Sequence, residues 1–122
     1  MSREDTYVMY LIEKNIGLSA GKGRAQCAHA AQKITEHFFC TTKTEEEKEA
    51  YKQWTEGCYT KIVLFCPENK WEELKKLSLR KVVIKDAGFT EIDPGTETVI
   101  GFWPILKSSA PNELKNLSTR QS

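Results

Sequence analysis

Gly21-Lys22-Gly23-Arg24-Ala25-Gln26-Cys27-Ala28-His29-Ala30, read with the apolar run at residues 6–12 (TYVMYLI) before it, decides the fold of this chain. The run is short, aromatic and aliphatic, as a buried strand is. A loop over residues 15–21 carries two glycines. The spacing then changes to that of a helix starting near residues 19–21 and running to about Phe39. Cys27, Ala31, Ile34 and Phe38 make its apolar stripe. Lys22, Gln26, His29 and Lys33 make a polar stripe beside it, with Lys22 and Gln26 on one face a turn apart. A strand running into a polar, glycine-bearing turn and then a helix is where α/β folds place their chemistry.

The chain repeats the arrangement. Residues 81–85 (KVVIK) read as a strand that runs into Lys85-Asp86-Ala87-Gly88-Phe89-Thr90-Glu91-Ile92-Asp93-Pro94-Gly95-Thr96-Glu97-Thr98. Between the two turns, Thr44-Glu45-Glu46-Glu47 fits a capping box. It predicts a second helix with Ala50, Tyr51 and Trp54 inward and Gly57 at its end. Residues 59–66 (YTKIVLFC) read as a strand broken by Pro67. A helix using Trp71, Leu74 and Leu77 follows. Residues 97–103 (ETVIGFW) read as a strand stopped by Pro104, and residues 111–117 as a short last helix.

The order β-α-α-β-α-β-β-α predicts an α/β protein. Its form is a three-layer α/β/α arrangement on a small mixed, mostly parallel four-stranded sheet. Helical crossovers join the first three strands in parallel, with right-handed connections. The loop around Pro94-Gly95 is too short for a crossover, so the fourth strand runs antiparallel to its neighbour. The turns after the first and third strands, and the start of the fourth, then fall on one sheet edge. Lys22, Gln26, Asp86, Thr90 and Thr98 converge there.

Composition sets the bounds. A chain of 122 residues with 39% hydrophobic and 29% charged residues suits one globular domain over residues 1–122, with the tail from about 118 frayed. The net charge of +1 gives no global field for nucleic acid. Locally, Lys14, Lys22, Arg24 and Lys33 fall in a stretch without an acid, from residue 14 to 35. That suits a phosphate-bearing partner, and equally a solvated helix face. Cys27, Cys40, Cys58 and Cys66 lack the spacing of a metal knuckle or redox pair. They read as free thiols of a reducing compartment, Cys27 and Cys66 as small core residues. With no charged-then-apolar leader pattern at the start and no apolar run long enough for a membrane, the expected location is the cytoplasm. No metal site and no cofactor is expected, and a homodimer stays open.

The residues at the shared edge allow specific chemistry. Lys22 lies in the first turn of its helix, where free amides and an ammonium together favour an anion or a developing oxyanion. A surface lysine after a glycine is common, and the stretch lacks the glycine spacing of a P-loop. Asp86 ends an apolar strand. It can orient a water, or it can cap the amides of Gly88 or Phe89 in an Asx-type turn. Gln26, Thr90 and Thr98 suit the positioning of a water or a carbonyl, although threonines near strand ends are often simply strand formers. His29 reads as a hydrogen-bonded, partly buried residue behind the site. As turn residues, Lys22 and Asp86 should be removable with little change in stability.

These residues carry a resemblance. Lys22-x-x-x-Gln26-Cys27-x-His29-Ala30, together with Asp86-Ala87-Gly88-x-Thr90-x-Ile92-x-Pro94-Gly95-Thr96-x-Thr98-Val99, resembles the type 2 peptidyl-tRNA hydrolase family of archaea and eukaryotes. The likeness runs from Tyr7 to about Pro104. Two departures stand out: Ala20 replaces a lysine of the family pattern and Arg24 a small residue. The resemblance implies cleavage of the ester between a peptide and the tRNA 3′ end. It also implies Lys22 and Asp86 as chief catalytic residues, assisted by Gln26, Thr90 and Thr98. A water oriented by side chains, without metal, would attack, and Lys14, Arg24 and Lys33 would bind the tRNA. The alternative is a non-catalytic tRNA- or peptide-binding module on the same fold.

Overall fold

The computed structural model describes residues 6–86 and 93–119. Strand β1 (Tyr7–Lys14) leads into helix α1 (Ala20–Cys40), then α2 (Glu45–Glu56), β2 (Lys61–Cys66), α3 (Trp71–Lys75) and β3 (Lys81–Lys85). Strand β4 (Glu97–Phe102), a two-residue β5 (Ile105–Leu106) and a one-turn α4 (Asn112–Lys115) complete the order. Local sequence accounts for the helix starts. Ser19 caps α1 by accepting the Lys22 amide at 3.2 Å. Thr44 and Glu47 close the expected capping box on α2, at 3.0 and 2.9 Å.

The sheet runs β2-β1-β4-β3, with β5 pairing on β1. β1 and β2 are parallel, while β4 is antiparallel to both β1 and β3. β1, β2 and β3 therefore point the same way, as the crossovers demand. Because β4 inserts between β1 and β3, only one hydrogen-bonded strand pair among the described residues is parallel, so by pairing the sheet there is mostly antiparallel rather than mostly parallel.

Two cores lie on opposite faces, which makes the three layers. On one face α1 and α2 cover Met9, Leu11, Val82, Ile84 and Val99. On the other, Trp71, Leu74 and Leu114 cover Val8, Tyr10, Ile12, Ile100 and Phe102. α1 approaches closely at Gly101, where a Cβ would lie 3.0 Å from Ala30 Cβ and 3.1 Å from Ile34 Cδ1. This sets which face of α1 is buried: Ala30 is fully buried, and Ala31 and Phe38 lie at the margin of the core. Cys27 and Ile34 of the expected stripe are buried, and Ala30 takes the place of Ala31 between them.

Three local expectations shift. β2 begins at Lys61, not Tyr59, because Cys58 and Tyr59 sit at φ 66° and 63°. That left-handed backbone is costly for side-chain-bearing residues. The Tyr59 amide bonds Trp54 O at 3.1 Å and its ring stands edge-on to Trp54, which holds the turn. β5, unforeseen, forms because the chain after Pro104 returns along β1, pairing Tyr7 with Leu106. Ser118, expected to begin a frayed tail, is bridged to β2 by the Phe65 amide at 2.8 Å.

Candidate active site

The edge predicted from strand direction holds a buried polar chain. Lys22 Nζ lies 2.6 Å from Asp86 Oδ1, the two side chains 14% and 1% exposed. Gln26 Nε2 donates to the same Oδ1 at 3.5 Å. Thr98 Oγ1 donates to Gln26 Oε1 at 2.6 Å and lies 3.3 Å from Ile84 O. α1 supplies Lys22 and Gln26 at i and i+4, β3 ends at Asp86, and β4 begins beside Thr98. Backbone bonds fix the aspartate: its amide donates to Thr96 O at 2.9 Å, and its carbonyl accepts from Gly95 N at 2.8 Å.

The arrangement has a clear chemical sense. A lysine ammonium beside a carboxylate favours the ionised acid. The threonine hydroxyl, by donating to Gln26 Oε1, turns the amide so that its NH2 faces Asp86. The site thus presents a fixed carboxylate, a cation and a hydroxyl oxygen in a low-exposure setting, where electrostatic interactions are stronger than in water.

Not every expected residue joins them. Thr90 lies outside the described residues, as do Gly88 and Phe89, the partners of the Asx-turn reading. His29 is exposed rather than partly buried. It sits seven residues beyond Lys22, about 10 Å along the axis at 1.5 Å per residue, on the side of α1 turned from the sheet. Lys14, Arg24 and Lys33 do not form one patch. Lys14 Nζ lies 5.4 Å from the Trp71 ring centroid, on the α3 side of the sheet. Arg24 lines a cavity on the far flank of α1, and Lys33 is exposed on the helix. The reason is geometric: a sequence stretch without acids winds around a helix and across a strand, so its charges point apart.

Sequence reading missed Glu13. β1 runs to Lys14, and strand alternation puts Glu13 on the α1 face after Met9 and Leu11. It is 2% exposed. A Cβ on Gly23 would lie 2.7 Å from either carboxylate oxygen, so the second glycine of Gly-Lys-Gly is what lets the helix rest over this acid. That glycine was the available signal. The cysteines follow expectation: Cys27 and Cys66 are buried and all four are free. Burial pushes the Cys66 thiol up to about 11, so it stays protonated.

Fold and site together define an α/β protein whose clustered polar groups are a lysine, an aspartate, an amide and a threonine. Comparison with known proteins narrows this. The family profile described as peptidyl-tRNA hydrolase PTH2 matches residues 7–119, and the chain belongs to that family. It is similar to the peptidyl-tRNA hydrolase of Thermococcus onnurineus, 39% identical over 111 residues, covering 85% of this chain and 84% of that one. The Sulfurisphaera tokodaii peptidyl-tRNA hydrolase is 32% identical over 114 residues, 89% of each chain. Peptidyl-tRNA hydrolase 2 of Saccharomyces cerevisiae is 34% identical over 108 residues, 80% of this chain but 50% of the yeast protein.

Proposed function

We propose that this protein hydrolyses the ester bond of peptidyl-tRNA, releasing peptide and tRNA, at the Lys22–Asp86–Gln26–Thr98 cluster. The observation that carries this is the 2.6 Å approach of Lys22 Nζ to a nearly fully buried Asp86 on the sheet edge, in a chain of the peptidyl-tRNA hydrolase family. An ester of this kind needs no covalent nucleophile. Asp86 and the Thr98 oxygen orient a water toward the carbonyl. Gln26 acts as a positioning residue, held by Thr98 and holding Asp86. Lys22 faces the charge that develops on the carbonyl oxygen, a role worth on the order of 3 kcal/mol for one well-placed donor. Because Asp86 is paired with an ammonium, it orients the water more than it takes its proton, which passes to the departing 3′ oxygen as the ester C–O bond breaks.

The rival reading, a non-catalytic binding module, leaves the buried ion pair without a task, and burying charge is costly. All four groups come from one chain, so a homodimer is not needed to build the site. The chain acts as one domain. We place it in the cytoplasm on its free cysteines, and no helix among the described residues is long and apolar enough to cross a membrane.

The test is release of an N-blocked aminoacyl group from tRNA by the purified protein. Activity should persist in EDTA; a loss that added zinc or magnesium restores would overturn the mechanism. For tRNA contact, Arg24→Ala and Lys33→Ala should each flatten the slope of log affinity against log salt by roughly 0.7 to 0.9 per phosphate contact. Lys14→Ala should leave it unchanged, because that ammonium already rests on Trp71. Lys81 is likewise engaged, donating to Leu77 O at 2.7 Å and Leu79 O at 3.1 Å.

A further inference from the structure

Two acids, Glu13 and Asp86, are buried beneath α1. Glu13 pairs with Val99 on β4, and Val99 with Ile84 on β3, so one row of residues crosses the three strands. Asp86 lies two residues past Ile84. The acids therefore stand on either side of β4, about 10 Å apart across the sheet at two strand spacings. The first turn of α1 spans both: Lys22 reaches Asp86, and the buried Gly23 rests on Glu13. The second contact is flat. A Cβ on Gly23 would lie 2.7 Å from each carboxylate oxygen and 2.8 Å from Cδ, so the glycine sits over the plane of the carboxylate rather than against one corner. α1 also has no acid in its first turn, whereas α2 has Glu45, Glu46 and Glu47. It has Lys22 there instead, a cation at the positive end of a helix. Glu13, brought through space by β1, supplies the negative charge that the turn itself lacks.

We propose that Glu13 is a positioning residue for the reaction: its carboxylate is the seat that sets how closely the first turn of α1 approaches the sheet, and so where Lys22 meets Asp86. The inference rests on the peptidyl-tRNA hydrolase reading above and deepens it. Lys22 and Gly23 are adjacent, so a shift of the turn carries the ammonium with it. Moving Glu13 instead would take its carboxylate from the positive helix end toward the apolar walls that Leu11, Cys27 and Val63 give the neighbouring cavity, where charge is costly. The turn, at the end of its helix, gives more readily. Displacement of a group that faces the reacting carbonyl costs rate more than binding.

The experiment adds a methyl group at the contact and then makes room for it. Gly23→Ala should lower kcat on N-blocked aminoacyl-tRNA at least about tenfold, with KM within about twofold. Glu13→Asp withdraws the seat by one methylene and keeps its charge. Combined with Gly23→Ala it should bring kcat back to within about threefold of the unsubstituted protein. In a Lys22→Ala background, Gly23→Ala should change the residual rate by less than about twofold, because the seat acts through the ammonium. Alanine is a better helix former than glycine, so Gly23→Ala and its effect in the two backgrounds serve even where Glu13→Asp fails to fold. The carbon-13 resonance of the Asp86 carboxyl reports the ammonium independently of turnover. It should move in Gly23→Ala and return in the double variant. An unchanged kcat in Gly23→Ala would show that the acid and not the helix gives way, and would overturn the proposal. Equal losses with and without Lys22 would overturn it too, since Glu13 would then be structural only. Absence of hydrolysis by the unsubstituted protein sinks the functional reading. The Asp86 resonance then decides the seat alone: displaced and restored supports it, unmoved overturns it.

Discussion

Glu97 and Thr98 are neighbours at the start of β4, and the pleat sends them to opposite faces of the sheet. Each belongs to a cluster centred on a lysine–carboxylate pair, and the two clusters are built differently. On the α3 face, Lys75 Nζ lies 2.9 Å from both Glu97 oxygens, and Trp71 Nε1 donates to Oε1 at 2.8 Å. The side chains of that pair are 28% and 21% exposed. On the α1 face, Lys22 and Asp86 are 14% and 1% exposed, and the Gln26 amide stands at 3.5 Å, at the limit of a hydrogen bond. The outer pair ties a one-turn helix to the sheet with donors on both carboxylate oxygens. The inner pair sits where desolvation makes charge costly and holds its amide loosely.

The sharpest break of this comparison is removal of each inner charge. Asp86→Ala and Lys22→Ala should each lower kcat/KM by about a thousandfold or more, measured on N-blocked aminoacyl-tRNA. Stability separates them, contrary to the expectation that both are removable turn residues. Lys22→Ala leaves the buried carboxylate without its ammonium and should cost about 3 kcal/mol in urea unfolding. Desolvation raises that carboxyl's pKa in the folded variant, so the folded state holds a proton that the unfolded state releases. The deficit should therefore shrink as pH falls. Adding Asp86→Asn to Lys22→Ala should recover stability and not activity; recovered activity would mean the pair is structural.

Thr98→Val comes next. It keeps the shape and strand propensity but removes the hydroxyl that turns Gln26. The expected loss is about tenfold in kcat with roughly 1 kcal/mol of stability, and Thr98→Ser should restore both. Equal activity of the valine and serine variants would remove Gln26 and Thr98 from the mechanism.

The outer cluster gives the smallest effect. Glu97→Gln should lower the melting temperature slightly and leave kcat/KM within about twofold. Burial pushes the Glu97 carboxyl up, but hydrogen bonds from Lys75 and Trp71 outweigh it and hold the acid below its ordinary value. The Arg80 guanidinium, 2.9 Å from Oε2, does the same for Glu47. A lowered folded pKa means stability that is present above the ordinary glutamate pKa and is lost as pH falls through the lowered one. Glu47→Gln and Glu97→Gln should each flatten the acid limb of stability against pH, read from urea midpoints. An unchanged limb in both would show that these pairs contribute nothing on folding.

Much of this molecule is written locally. The helix caps at Ser19 and Thr44, the inward Ala50, Tyr51 and Trp54, and the strand at Lys81–Lys85 follow from spacing and side-chain chemistry within a few residues. So does the pairing of Lys22 with Gln26 on one helix face. Strand direction, read from connection length, was enough to bring Asp86 and Thr98 to that face.

What the sequence could not supply depends on which element covers which. A short link from β3 leaves β4 free to pair on either side, and only packing under α1 at Gly101 places it between β1 and β3. Glu13 became a buried acid because a glycine two helix residues beyond Gly21 lets α1 rest on it. Lys14 came to lie over Trp71 from a distant helix, and His29 turned outward with its helix face. Hydrogen-bond caps and periodicity are settled between neighbours in the chain, so the sequence alone determined the main helices and strands, β5 apart, and their order. Desolvation and charge pairing are settled between residues far apart in the chain, so only the tertiary structure decided which charges are buried, which are paired, and which gather at the candidate site.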